Sequence, residues 1–327
     1  MLSGIRILDL DGSLLRQHRL IGRYKPDIVG MRDLESTARL WASRRTARII
    51  RSRIGHDTRG MITFTGSGEY HHLSAILARQ FPPPINLIAF DHHPDWDLLW
   101  PRLGCGSWVR DLLARGPVEK AVLFGVSSGD ISSWSLQTGD LASLGSGRLE
   151  LFPYSHGPSW SFPRRLAANA CCTVEKGRFS DRISWEQIRV QGMEKILAGV
   201  LRRMRSRKVY LSIDKDCLTG SEALTNREPG LFPLAEVVRA LQAIGESLDI
   251  IGCDITGDYS LPRLNGTLKR TVSRFDHPRE PSSFGRTARD IDETNERANI
   301  TLLEALQDFT TSSAGISYED HPLDLRY

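Results

Sequence analysis

Ile85-Asn86-Leu87-Ile88-Ala89-Phe90-Asp91-His92-His93-Pro94-Asp95 passes within one residue from a nearly continuous apolar run to a knot of carboxylates and imidazoles. The apolar half does not alternate, which is the habit of a strand covered on both faces, as in parallel sheets. The polar half falls where open parallel sheets bind ligands, beyond the carboxyl ends of the strands. Outward from this segment the same form recurs. Ile5–Leu10, Met61–Thr65, Lys120–Val126, Leu149–Phe152, Val209–Ile213 and Leu248–Ile255 read as further strands. Arg32–Ile50, His72–Gln80, Trp185–Arg205 and Pro233–Ile244 carry helical patterns, with Ser184 an expected N-cap and Pro233 suited to a first turn. This alternation predicts one α/β domain with helices on both faces of a mostly parallel sheet. The domain should span 1–309, close with a helix at about Ala288–Phe309, and be followed by a polar C-terminal tail, 310–327. The Ser/Gly/Trp-rich stretch 127–161 reads as a long excursion, whose Trp134, Tyr154 and Trp160 suit a lid or a subunit contact.

Composition sets the limits. The 327 residues hold 43 Lys+Arg against 39 Asp+Glu, 40% hydrophobic and 25% charged residues, which excludes a disordered or collagen-like chain. A net charge of +4 gives no ground for nucleic-acid binding, and the local runs Arg44–Arg53 and Arg202–Lys208 read as solvated helix faces. No apolar run is long enough to span a membrane. Acids in the opening MLSGIRILDLDG do not suit a signal peptide, and five irregularly spaced cysteines read as reduced, so the expected location is cytoplasmic.

Three more polar clusters follow predicted strands: Gly66–His72 after MITFT, Asp214-Lys215-Asp216 after VYLSI, and Asp254 and Asp258 around IIGCDI. Several carboxylates at adjoining strand ends, with only Lys215 nearby in sequence, would raise one another's pKa and oppose folding unless a cation compensates. A pair of divalent ions does so. Mixed Asp/His ligation favours Mn, Zn or Fe, and the absence of cysteine from the three clusters that directly follow MITFT, INLIAF and VYLSI argues against a closed structural zinc site. If extended geometry continues past the strand ends, Asp91, His93 and Asp95 share one side while His92 points away, and Asp214 and Asp216 converge with Lys215 opposite.

Gly68-Glu69-Tyr70-His71-His72, Asp91-His92-His93-Pro94-Asp95 and Ser212-Ile213-Asp214-Lys215-Asp216 resemble, in order, the GGDHS, DAHxD and SxDxD motifs of the arginase/agmatinase (ureohydrolase) superfamily, over about residues 60–260. The resemblance implies a three-layer α/β/α fold and two Mn2+ ions, with Zn2+ or Fe2+ as substitutes. It assigns His71, Asp91, Asp95 and Asp214 to one ion and Asp91, His93, Asp214 and Asp216 to the other; His72 is the alternative to His71. It also implies a metal-bridged hydroxide that attacks the trigonal carbon of a C–N bond (amidine, guanidine or amide) in a small molecule. Oligomers are usual among such relatives, so a homo-oligomer is expected.

Two departures bear on the substrate. Arginases carry a catalytic His-Gly pair downstream of DAHxD, and the matching stretch here, Cys105-Gly106-Ser107-Trp108-Val109, begins with a thiol. Their guanidinium-gripping Glu is replaced in Asp254-Ile255-Thr256-Gly257-Asp258 by Gly257, with Asp258 one residue later. Asp95, Cys105, Asp258 and Glu228, the last in a loop resembling the family's substrate side, are the candidate catalytic residues. Three rival readings remain. Ile7–Leu14 is similar to the first motif of haloacid-dehalogenase-type phosphatases, with Asp9 as nucleophile and Asp11 as acid/base. Asp91-His92-His93 matches the signature triplet of a phosphodiesterase family, but here the DxD follows rather than precedes it. The third rival is a non-catalytic metal-bearing binding or regulatory protein of the same fold, supported by Cys105.

Overall fold

A computed structural model describes residues 2, 4–55, 58–99, 101, 103–162, 166–264, 266–276 and 285–312. Eleven strands are formed among them: β1 (Gly4–Asp9), β2 (Asp27–Gly30), β3 (Met61–Gly66), β4 (Ile85–Phe90), β5 (Val118–Phe124), β6 (Leu149–Phe152), β7 (Ser159–Ser161), β8 (Cys172–Glu175), β9 (Asp181–Trp185), β10 (Lys208–Asp214) and β11 (Asp249–Thr256). Eight make one sheet in the order β2-β1-β3-β11-β10-β4-β5-β6, and every neighbouring pair is parallel. Helices cover both faces, giving the three layers expected. The central strands are the most apolar because both of their faces are covered: all six residues of β4 are buried, as are the last six of β10. All seven candidate strands are present. The eighth, β2, is a short edge strand whose residues are mostly exposed, so its sequence lacks an apolar run.

The order of the strands positions the site. β3 and β4 are consecutive in the main sheet along the chain but not neighbours in space, because β11 and β10 lie between them. The carboxyl ends of β3, β11, β10 and β4 therefore stand side by side, and the loops leaving them share one rim.

Two expected elements take other forms. The stretch 185–205 is not one helix: Trp185 ends β9, and helices follow at Ile188–Gln191 and Met193–Arg203 with Gly192 (φ +82) between them. Ser184 lies inside β9 and caps nothing, because β9 pairs antiparallel with β7 and β8 in a separate three-stranded sheet. The expected helix 32–50 is also divided, into Arg32–Leu34 (3-10), Glu35–Ala38 and Arg44–Ile54. The last of these is capped by Ser43, whose hydroxyl accepts from the Thr46 amide at 3.1 Å. The closing helix runs Ala288–Ser312, and the tail expected at 310–327 lies, from 313 onward, outside the described residues.

A buried ion pair ties the rim together. Arg39 and Glu69 are both buried; the guanidinium donates to the Glu69 carboxylate and, through Nη2, to the Ser260 carbonyl at 2.9 Å. Nearby, the Lys269 ammonium donates to the Thr37, Arg39 and Trp41 carbonyls at 2.7–2.9 Å and lies over the Trp41 ring. Removing one member of a buried pair strands the other charge. Arg39→Met should cost about 3–5 kcal/mol in denaturant unfolding, and the double substitution Arg39→Met with Glu69→Gln should cost less than the single one.

Candidate metal centre

Each strand end delivers its group by a different local device. After β3, a 3-10 turn at Gly68–Tyr70, capped by Ser67, turns the chain so that His71 enters the site. After β4, Asp91, His93 and Asp95 arrive on an irregular turn rather than an extended segment. The His93 amide donates to Asp91 Oδ1 at 2.7 Å, and Asp95 adopts φ +46, a left-handed conformation unusual for a residue with a side chain. The Trp108 indole holds Asp95 there, donating Nε1–H to Oδ2 at 2.5 Å. At the end of β10, Asp214 caps a 3-10 turn over Lys215–Cys217, accepting from the Asp216 amide at 3.1 Å. The side chains that period-two alternation would bring together do converge, but turn geometry brings them there.

Five of the six groups form two overlapping clusters, with Asp95 beside the first. His71, Asp91 and Asp214 make one, and Asp91, His93 and Asp216 the other, each with ligand atoms within 4.8 Å of one another, and Asp91 is common to both. His71 Nδ1 stands 3.1 Å from Asp91 Oδ2, 3.2 Å from Asp95 Oδ2 and 3.4 Å from Asp214 Oδ2; His93 Nδ1 is 2.9 Å from Asp216 Oδ2. All are buried. Behind His71, Nε2 pairs with Ser212 Oγ at 2.8 Å, and Asp254 accepts from Ser212 at 2.8 Å, Ser74 at 2.9 Å and Tyr210 at 2.6 Å. A hydrogen bond of this kind fixes the ring orientation and leaves Nδ1 facing the carboxylates.

This donor set fits a divalent pair. Asp91 Oδ2 is buried and makes no hydrogen bond, although His71 Nδ1 lies close, so the two atoms converge without the geometry to satisfy each other. Burial, with the Asp91 charge beside it, pushes Asp95 up to about 7. Burial, then Asp216, raises Asp214 well above the usual carboxylate range. Burial opposes charge on the two imidazoles, yet their carboxylate neighbours, Asp91 first for His71 and Asp216 first for His93, hold both well above an ordinary histidine. Without a cation the cluster thus retains protons to limit its own repulsion. Backbone space is also reserved: a Cβ on Gly68 would lie 2.7 Å from Asp214 Oδ2, and one on Gly257 would lie 2.5 Å from Asp214 Oδ1.

The remaining predicted residues divide. Cys105 lines the cavity above the cluster, and Glu228 Oε1 comes within 3.5 Å of His93 Nε2. Asp258 is not brought to the cavity wall. It is buried against the Lys215 ammonium at 2.9 Å and accepts from Gln17 at 2.6 Å and Asn299 at 3.2 Å. His72 points elsewhere: both ring nitrogens are buried without hydrogen bonds, and burial lowers its pKa to about 3. The phosphatase reading also fails locally, because Asp11 is consumed as a loop clamp, accepting from Ser13, the Ser67 amide at 3.1 Å and Ser260 Oγ at 2.6 Å. Sequence reasoning missed Trp108, Ser212 and Arg227. Ser212 lies within the Ser212–Asp216 motif, Trp108 within the Cys105–Val109 stretch and Arg227 beside Glu228, but nothing local in the sequence marks their contacts.

Comparison with known proteins gives a family match, a partial relative and structures of similar fold. The arginase family model matches residues 173–257. Over 64 residues the chain is 36% identical to an uncharacterized protein of Thermotoga maritima, a match spanning 20% of this chain and 26% of that relative. Formimidoylglutamase from Bacillus subtilis subsp. subtilis str. 168 superposes with a TM-score of 0.54 at 13% identity, covering 93% of this chain and 86% of that one. Arginase from Bacillus subtilis does so with a TM-score of 0.53 at 13% identity, covering 94% and 98%. Trypanosoma cruzi formiminoglutamase with Mn2+ has a TM-score of 0.50 at 15% identity, covering 93% and 94%. At these identities the structures establish a shared fold.

Two measurements follow from the cluster. Because ligands must shed protons to bind a metal, loading at pH 7 should release protons, and affinity should rise with pH as His71, His93 and Asp95 lose theirs. Calorimetry in buffers of different ionisation enthalpy reads this; loading without proton release would contradict it. Gly257→Ala should displace Asp214 and strain a φ of +91, costing about 1–3 kcal/mol and weakening metal retention.

Proposed function

We propose that this chain, a divergent relative of the arginase/agmatinase superfamily by its family match and its fold, is a binuclear metal-dependent hydrolase of a C–N bond in a small amidine, guanidine or amide. The observation that carries the reading is the pair of buried clusters sharing Asp91. His71, Asp91, Asp95 and Asp214 would hold one ion, and Asp91, His93, Asp214 and Asp216 the other. Two Mn2+ ions are the preferred occupants, and Zn2+ or Fe2+ the substitutes. When bound, such a pair offsets the four carboxylates and lowers the pKa of a water towards neutrality.

The chain's own residues then supply position and proton traffic. Substrate enters the cavity bounded by Trp96, Cys105, Gly106 and Arg227 and the excursion residues Asp130, Ser135 and Thr138. Asp95, aimed by Trp108, is placed to take the proton released as water oxygen bonds to the trigonal carbon. It returns that proton to the nitrogen that departs as the C–N bond breaks. Glu228, 3.5 Å from His93, is the candidate carboxylate for a cationic amidine or amine. Cys105 occupies a cavity wall where an imidazole would shuttle protons in arginases, so Asp95 carries that work alone. Among the described residues no helix is long and apolar enough to cross a membrane, and all five cysteines are free and buried. The reading places the protein in the cytoplasm, as a homo-oligomer, without nucleic-acid partners.

Purified protein should contain close to two manganese ions per chain by elemental analysis, and Asp91→Asn should abolish both. A manganese-loaded screen over guanidino, amidino, formimino and N-acyl compounds should release urea, ammonia or acid, with turnover falling at least a hundredfold in Asp95→Asn. Full metal occupancy with binding but no turnover across that screen would favour the non-catalytic alternative.

A further inference from the structure

We infer that the backbone carbonyls of Ser36, Thr37, Arg39 and Trp41 form a site for a compact monovalent cation, which this chain fills with its own Lys269 ammonium. The site lies outside the metal centre and does not depend on what that centre catalyses.

The four carbonyl oxygens surround Lys269 Nζ at 3.2, 2.9, 2.7 and 2.8 Å, in that order. The Trp41 ring closes a further side, its centroid 4.9 Å from the ammonium. An ammonium carries three donor protons, so four acceptors exceed what directional hydrogen bonding can use. The shell is therefore arranged around a charge rather than around N–H directions, like the carbonyl rings that replace the hydration shell of K+. All four oxygens are neutral, which suits a single positive charge; divalent ions draw on carboxylates as well.

The backbone converges here against its own preferences. Four carbonyl dipoles point their negative ends at one place. Leu40, between the last two of them, holds φ +67, a left-handed conformation that is costly for a residue with a side chain. A cation at the centre offsets both. What it holds in place is a wall of the metal cavity. The Leu40 amide donates to the Glu69 carbonyl at 2.9 Å, and the Leu40 carbonyl accepts from the Cys105 amide at 2.9 Å. Glu69 belongs to the turn that delivers His71, and Cys105 lines the cavity.

The occupant comes from the helix Thr267–Asp276. An open cavity of about 450 Å3 lies between the start of this helix and Thr37, Trp41 and Thr46. Without the Lys269 side chain, the carbonyls would face this cavity and the ions dissolved in it.

The test compares manganese-loaded wild-type and Lys269→Ala proteins by thermal unfolding in potassium, methylammonium and tetramethylammonium chlorides at equal ionic strength. In tetramethylammonium, an ion too large for the cage, Lys269→Ala should unfold about 5 °C below wild type. Potassium should restore most of that loss, saturating with concentration, and should leave wild type unchanged because the lysine already fills the site. Where Lys269→Ala does not fold in tetramethylammonium, recovery of folded protein on refolding in potassium is the same test. An unchanged midpoint in Lys269→Ala, rescue by neither small cation, or an equal potassium gain in wild type would each overturn the inference. Rescue by methylammonium without rescue by potassium would also overturn it, by making the cage a directional ammonium pocket.

Discussion

Like charges at close range and out of water are the constraint around which the molecule is arranged. Asp91, Asp95, Asp214 and Asp216 are buried within one cluster, and no arrangement of neutral groups would stabilise all four as carboxylates. Their meeting depends on β10 and β11 being interposed between β3 and β4. It depends equally on glycine at 68 and 257, where a methyl group would occupy the space of the Asp214 carboxylate. The layer behind the cluster is polar for the same reason. Ser212, Ser74 and Tyr210 satisfy Asp254, so that one further buried carboxyl steadies His71 rather than joining the repulsion.

Around this centre the rim is organised by hydrogen bonds between loops. Asp11 clamps Ser67 and Ser260, Arg39 clamps Glu69 and Ser260, and Asn226 joins the same two serines. The residues that tempt a phosphatase reading of Ile7–Leu14 therefore have a structural purpose at the same strand-end rim. Other cavity-lining side chains, Arg227 beside the clamping Asn226 and Asp130, Ser135 and Thr138 on the excursion after β5, lie along the same rim.

Legibility of the sequence followed burial. Strands covered on both faces wrote unbroken apolar runs, so β3, β4, β10 and β11 and the clusters behind them were readable. β2 and the small β7-β9-β8 sheet were not, because half-exposed short strands leave no such run. The 185–205 stretch carried helical spacing through Trp185 although that residue pairs with Cys172 in the small sheet; tertiary pairing overrode local pattern. At the site, which side chains converge was legible from residue type and order. The assignment of Asp258 was not, since its partners Lys215, Gln17 and Asn299 come from distant parts of the chain. Arg227 went unremarked for a related reason: nothing in a loop sequence says which side chain turns inward.

The interposed strands also govern the order in which the molecule can be made. A chain emerging from the ribosome has β1, β3, β4 and β5 in hand long before β10 and β11 exist, yet β3 and β4 have no edge to share with each other. Its sheet must wait as two separate halves until residues 208–256 arrive to bridge them, a topology of long sequence separations and correspondingly slow assembly. Until then the Asp91 cluster lacks Asp214 and Asp216. The repulsion among the four carboxylates is therefore imposed only as the sheet closes.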